Sequence, residues 1–179
     1  MRVAIVWGST TGNTQVAADQ LHKELGDLIT THCHVDSLPI GEMMTYDVVL
    51  AGVSTWDIGE LQYDWEVRAE EMAEQDWTGK RIGFFGCGDG IGYHDTFVDA
   101  FGILWEQVGP RGAGLIGKWP VDGYDYSDSR ALCDGGKSFL GLPIDIENQA
   151  DLTDDRIKRW AEQIRRELRD TPSEVAKSS

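Results

Sequence analysis

Val3-Ala4-Ile5-Val6-Trp7 runs directly into Gly8-Ser9-Thr10-Thr11-Gly12-Asn13-Thr14. A short apolar run that ends in a hydroxyl-rich, glycine-spaced turn and then opens a helical pattern is a place to hold a phosphate. Loop N–H groups and the helix dipole favour an anion there, and the hydroxyls add donors. No Lys or Arg lies between Gly8 and Thr14. A nucleoside triphosphate loop needs its lysine, and a dinucleotide fingerprint needs G-x-G-x-x-G. Both are missing, which leaves a site for one terminal monophosphate held without a countercharge. An ordinary strand-to-helix turn capped by Ser or Thr explains the stretch equally well when it is read alone.

Outward from this junction the chain alternates strand and helix. Asn13–Leu25 is predicted as a helix with Ala17, Leu21 and Leu25 on one face and Gly26 as its stop. Thr30–Val35, Asp47–Ala51, Arg81–Phe85 and a run beginning at Gly114–Ile116 read as strands. Tyr63–Glu74 reads as a helix. Phe97, Ala100, Phe101, Leu104 and Val108 form a helical stripe. Ile157, Trp160, Ala161, Ile164 and Leu168 form another, with Asp151 or Thr153 as its cap. Such alternation implies an α/β domain: a parallel sheet wrapped by helices on both faces, with ligands at the carboxyl ends of the strands.

Three strand ends then converge. The first gives the loop above. The third gives Ser54-Thr55-Trp56-Asp57-Ile58-Gly59-Glu60, and the fourth gives Gly86-Cys87-Gly88-Asp89-Gly90-Ile91-Gly92-Tyr93. Trp56 and Tyr93 sit amid glycines, so two aromatic faces meet a phosphate cradle. Each stacked pair with a flat heterocycle is worth roughly 0.5–1.5 kcal/mol beyond area burial.

These segments, together with Gly117-Lys118-Trp119-Pro120, Asp122 to Tyr126 and Leu142 to Gln149, resemble the long-chain flavodoxins over about residues 2 to 169. The resemblance implies a three-layer, five-stranded parallel sheet in the order 2-1-3-4-5, with the fifth strand split by an insertion. It covers one domain, 1–169; the tail, 170–179, has little to bury and is expected to be frayed. The resemblance also implies bound FMN and one-electron transfer, with no metal. Ser9, Thr10, Thr11, Gly12, Asn13 and Thr14 match the phosphate loop. Ser54 and Thr55 match residues at its ribityl side, and Trp56 and Tyr93 match the aromatics that flank the isoalloxazine. Asp57, Ile58 and Gly59 match the backbone at flavin N5 that turns over when the semiquinone forms, a flip that a non-glycine residue at 57 makes costlier. Cys87, Gly88 and Asp89 match the segment at the pyrimidine edge, and Asp145 matches a carboxylate near the ribityl hydroxyls. Residues 118–138 match the insertion and read locally as turns and loop, a surface flap. Cys87 is expected to be packing rather than redox chemistry, His94 to face solvent, and His22, His32 and His34 to form no ligand set.

Function classes follow. The 179 residues carry a formal charge of −15, from 31 acidic and 16 basic side chains. Nucleic acid and anionic membrane are poor partners on that ground. The N-terminal apolar run is too short for a signal peptide, and three cysteines without metal spacing suit a reducing cytoplasm. The expected protein is a monomeric cytoplasmic electron carrier. It would take electrons from a flavoprotein reductase of the ferredoxin/flavodoxin-NADP type and pass them to acceptor enzymes. The alternative is an FMN-dependent NAD(P)H:quinone reductase on the same fold. Asp64, Glu66, Glu70, Glu71, Glu74 and Asp76, against Arg68 alone, mark Tyr63–Asp76 as an acidic face beside the Trp56 loop.

Overall fold

The computed structural model describes residues 1–170. Buried apolar strands form its centre, because strands covered on both faces by helices must be apolar on both, while the edge strand at Thr31–His34 is only half-buried. In chain order the strands are β1 (Val3–Trp7), β2 (Thr31–His34), β3 (Val48–Gly52), β4 (Thr55–Trp56), β5 (Glu60–Leu61), β6 (Arg81–Cys87), β7 (Gly114–Leu115), β8 (Trp119–Pro120), β9 (Leu132–Cys133), β10 (Ser138–Phe139) and β11 (Gly141–Ile144). The helices are α1 (Asn13–Leu25), α2 (Ile40–Met43), α3 (Tyr63–Ala73), α4 (Asp99–Val108), α5 (Ile146–Gln149) and α6 (Thr153–Asp170). The main sheet runs β2-β1-β3-β6, all parallel, and both β7 and β11 pair with β6. β7 meets the start of β6 (Gly114 opposite Arg81) and β11 its end (Ile144 opposite Cys87). They are the two halves of one fifth strand, so the order is the expected one.

Alternate residues of each strand feed two cores. Ala4, Val6, Val49 and Ala51 meet Trp65, Met72, Phe101 and Leu104 of α3 and α4. Val3, Ile5, Val48 and Leu50 meet Leu21 of α1 and Trp160 and Ile164 of α6. At the carboxyl edge the ladder continues into the loops: Gly8 N–H donates to Gly52 O at 3.0 Å, and Val53 N–H to Phe85 O at 2.9 Å. Gly86 makes this closure possible. Its φ is +155°, and a Cβ there would lie 1.8 Å from Val53 O.

Four expectations change. The 97–108 stripe is helical only from Asp99, since Val98 takes a left-handed conformation (φ 50°) that interrupts the turn. Thr153 opens α6 from within, and its hydroxyl finds no partner among the described residues. The insertion is not a loose flap. It holds the antiparallel sheet β8-β10-β9, and Tyr124, Tyr126, Phe139 and Phe97 form one ring cluster with separations of 5.2–5.7 Å. Helix α6 takes in Asp170, the first residue of the expected tail. The rest of that tail, 171–179, lies outside the described residues.

Candidate functional site

Helix α1 begins without a side-chain cap. Its N-cap is Gly12, left-handed at φ 88°, and no acidic residue stands in its first turn. The Ser9 Oγ accepts the Gly12 N–H instead at 3.0 Å. Leading N–H groups of a helix have no intrahelical acceptor, so here they face outward with the dipole behind them. Between the two readings of residues 8–14 this favours the anion site, because no Ser or Thr side chain caps the helix itself.

Beside it lies a cavity of about 430 Å³. Ten of the expected site residues line it: Thr11, Asn13, Ser54, Thr55, Trp56, Asp57, Cys87, Gly88, Asp89 and Tyr93. Trp56 is half-buried and Tyr93 is 53% exposed, so Tyr93 stands at the mouth. Seven expected residues do not line it. Ile58 projects from the rim at 85% exposure, and Gly59 is buried beneath the turn. Thr14 is fully buried, with its hydroxyl 2.5 Å from Ser54 Oγ. Ser9, Thr10 and Gly12 form the loop around the helix end. Asp145 is 3% exposed and turned inward, accepting from Gly90 N–H at 3.0 Å and Asn148 N–H at 3.1 Å. It braces the 86–93 loop and caps α5.

Five lining residues went unnoticed in the sequence: Thr96, Phe97, Val98, Ile146 and Glu147. Ile146 and Glu147 directly follow the carboxyl end of β11, so the strand-end rule, carried to the last strand, would have found them. Phe97 was hidden by its place in an apolar helical stripe, and Val98 by standing next to it.

Electrostatics separate rigid parts from reactive ones. Burial pushes the Cys87 thiol up to about 11, which leaves it protonated and inert at neutral pH. Asp89 is held below the usual carboxylate range, first by the Gly92 N–H and also by Asn148 and the Ile91 N–H. Burial pushes Asp99 up; its Oδ1 accepts the Arg130 N–H at 2.7 Å, which ties the insertion to the floor of the 57–59 turn. Asp57 itself sits at φ 44°, a conformation that Asp tolerates better than most residues. His94 is exposed, as expected. Of the other histidines, one departs from expectation. His34 comes together with Asp36 and Asp64, their ligand-type atoms within 4.8 Å of one another. Both ring nitrogens already have partners there: Nδ1 accepts the Asp36 N–H, and Nε2 lies 3.2 Å from Asp64 Oδ2.

The family model described as Flavodoxin matches residues 5–160. The chain belongs to the flavodoxin family. It is 42% identical to a flavodoxin of Nostoc sp. over 167 residues, which cover 93% of this chain and 97% of that protein. To the flavodoxin of Trichodesmium erythraeum it is 43% identical over 170 residues, 93% and 98% of the two chains. Among solved structures, Fusobacterium nucleatum flavodoxin bound to flavin mononucleotide superposes with a TM-score of 0.85 at 27% identity, covering 93% of this chain and 98% of that one. Flavodoxins are electron-transfer proteins rather than enzymes, and this chain shares the family's parallel sheet and strand order. Among the described residues, no helix is long and apolar enough to cross a membrane.

Proposed function

We propose that this flavodoxin binds one FMN in the cleft between the α1 N-terminus and the Trp56 and Tyr93 loops, and carries single electrons on it. The observation that carries the reading is the uncapped start of α1, opening beside a cavity lined by two aromatics. An anionic group fits the first and a flat ring the second. FMN, when bound, supplies the one-electron chemistry. The chain's residues do the rest. Loop N–H groups and hydroxyls hold the phosphate, Trp56 and Tyr93 cover the ring and exclude water, and the 57–59 and 87–89 backbones meet its edges. Electrons come from a basic NAD(P)H-dependent flavoprotein reductase in the cytoplasm and pass to acceptor enzymes that dock at the same edge. Purified protein should be yellow, and the apoprotein should titrate with one FMN per chain. A chain that stays colourless and leaves FMN fluorescence unchanged defeats the proposal. Steady NAD(P)H oxidation by the protein alone would favour a quinone reductase.

A further inference from the structure

Gln62 precedes α3 and is 2% exposed, an uncommon degree of burial for a glutamine. Its Nε2 donates to Asp64 Oδ2 at 2.6 Å and to Thr10 Oγ1 at 3.3 Å. Its Oε1 finds no donor among the described residues. That oxygen rests against Gly8, where a Cβ would lie 2.5 Å from it and 2.8 Å from Trp65 Cδ1. A buried carbonyl without a donor costs stability, and an apolar side chain of similar length would avoid the cost. What the glutamine adds at this place is its NH2 group.

The bond directions are fixed by chemistry. An ionised carboxylate only accepts. Asp64 Oδ2 also lies 3.2 Å from His34 Nε2, and His34 Nδ1 accepts the Asp36 N–H, so the ring proton of a neutral His34 is on Nε2 and faces Asp64. Reversing the amide would press Oε1 onto the carboxylate. Gln62 therefore presents its hydrogens to both Asp64 and Thr10. With the Thr10 oxygen accepting, the hydroxyl's own hydrogen is free to turn toward the mouth of the 8–14 loop, where Thr10 is exposed.

We propose that Gln62 is a positioning residue that holds the Thr10 hydroxyl as a donor to the phosphate of FMN. This rests on the FMN reading above. Because the loop carries no Lys or Arg, the phosphate depends on the polarity of each hydroxyl.

The test compares FMN with riboflavin, which has the same ring and ribityl chain but no phosphate, in fluorescence titrations of the full-length apoprotein. In Gln62→Met the dissociation constant for FMN should rise about tenfold, while that for riboflavin stays within about twofold. Thr10→Val should raise the FMN constant similarly, and Gln62→Met should add nothing further in that background. The melting temperature of Gln62→Met should hold or rise, because the orphan carbonyl is gone. Should that variant fail to fold, Gln62→Glu keeps the shape and replaces the donor by an acceptor. It too should lose FMN selectively, with a smaller effect in the Thr10→Val background. Equal losses for both ligands, or an undiminished effect without the Thr10 hydroxyl, would overturn the inference. Absence of FMN binding to the unmodified chain would instead sink the cofactor reading itself.

Discussion

Trp56 and Tyr93 differ in what they give up on losing a ring. Trp56 is half-buried in the wall, whereas Tyr93 stands at the mouth with half its surface in water. Replacing either with Ala removes a stacking surface and wets the ring, so FMN should bind more weakly by roughly 1–3 kcal/mol. Wetter surroundings stabilise the doubly reduced anion, so the second one-electron potential should rise in both variants. Redox titration beside FMN titration checks this; unchanged affinity and potentials in both would refute the stacking assignment. Cys87 offers a different residue-scale prediction. Its thiol is raised from 9.0 to about 11, first by burial. Between those values the unfolded chain loses a proton that the folded chain keeps. The thiol's contribution is thus intact below pH 9 and falls away as pH rises toward 11, by up to about 3 kcal/mol. Denaturant unfolding at pH 8 and pH 10.5 should show Cys87→Ala losing less stability across that interval than the parent. Parallel losses would mean that the thiol is not shielded.

At the scale of elements, the apolar runs and helical stripes were legible because burial on both faces leaves a periodic trace. β1, α1, β3, α3, β6 and α6 were read within a few residues, and three of the cleft's loops were read from where those strands end. Val98 was not legible: nothing local announces a β-branched residue at positive φ, fully buried beside the cleft. Nor was the order in residues 118–138. Gly, Asp and Tyr read as turn formers, but Tyr124 and Tyr126 find their partner, Phe97, far away in sequence. Asp145 illustrates a third limit. A sequence shows that a carboxylate follows a strand, not whether its oxygens turn to the cleft or, as here, to the backbone behind it. The insertion is anchored by Arg156, which is 7% exposed. It lies 4.0 Å over the Tyr124 ring and donates to Gln149 Oε1 at 2.7 Å and Gly123 O at 3.2 Å. Arg156→Met keeps the packing and removes these donors, which should cost about 1–3 kcal/mol. Thermal unfolding measures it, and a loss below about 0.5 kcal/mol would show that apolar packing alone seats the insertion.

For the whole molecule the governing quantity is the field. A net charge of −15 is spread over the chain, yet α3 concentrates it next to the Trp56 hairpin. The structure sorts its acids. Glu71 is paired with Arg68, and Asp64 is occupied by Gln62 and His34, whereas Glu66 and Glu70 are exposed beside the bare side chains of Tyr63 (75%) and Val67 (62%). An apolar patch rimmed by carboxylates with no ion pair among the described residues suits a basic partner, since the charges steer the encounter and the patch supplies contact. A unit charge about 10 Å from the ring is worth roughly 0.4 kcal/mol at the dielectric of water and about 1.7 at an effective 20. Each carboxylate therefore also lowers the second potential by tens of millivolts at most. Glu66→Gln with Glu70→Gln should slow reduction by a basic NAD(P)H-dependent reductase at low salt. The difference from the parent should shrink as ionic strength rises, because exposed charges are screened within about 10 Å at 0.1 M. The potential should rise slightly in the same variant, which by itself would speed reduction, so a slower rate isolates steering from driving force. Reduction rates across a salt series, with potentials recorded alongside, give both. If the two proteins share one salt profile, α3 is only a solvated face, and the docking charge must lie on another edge of the cleft.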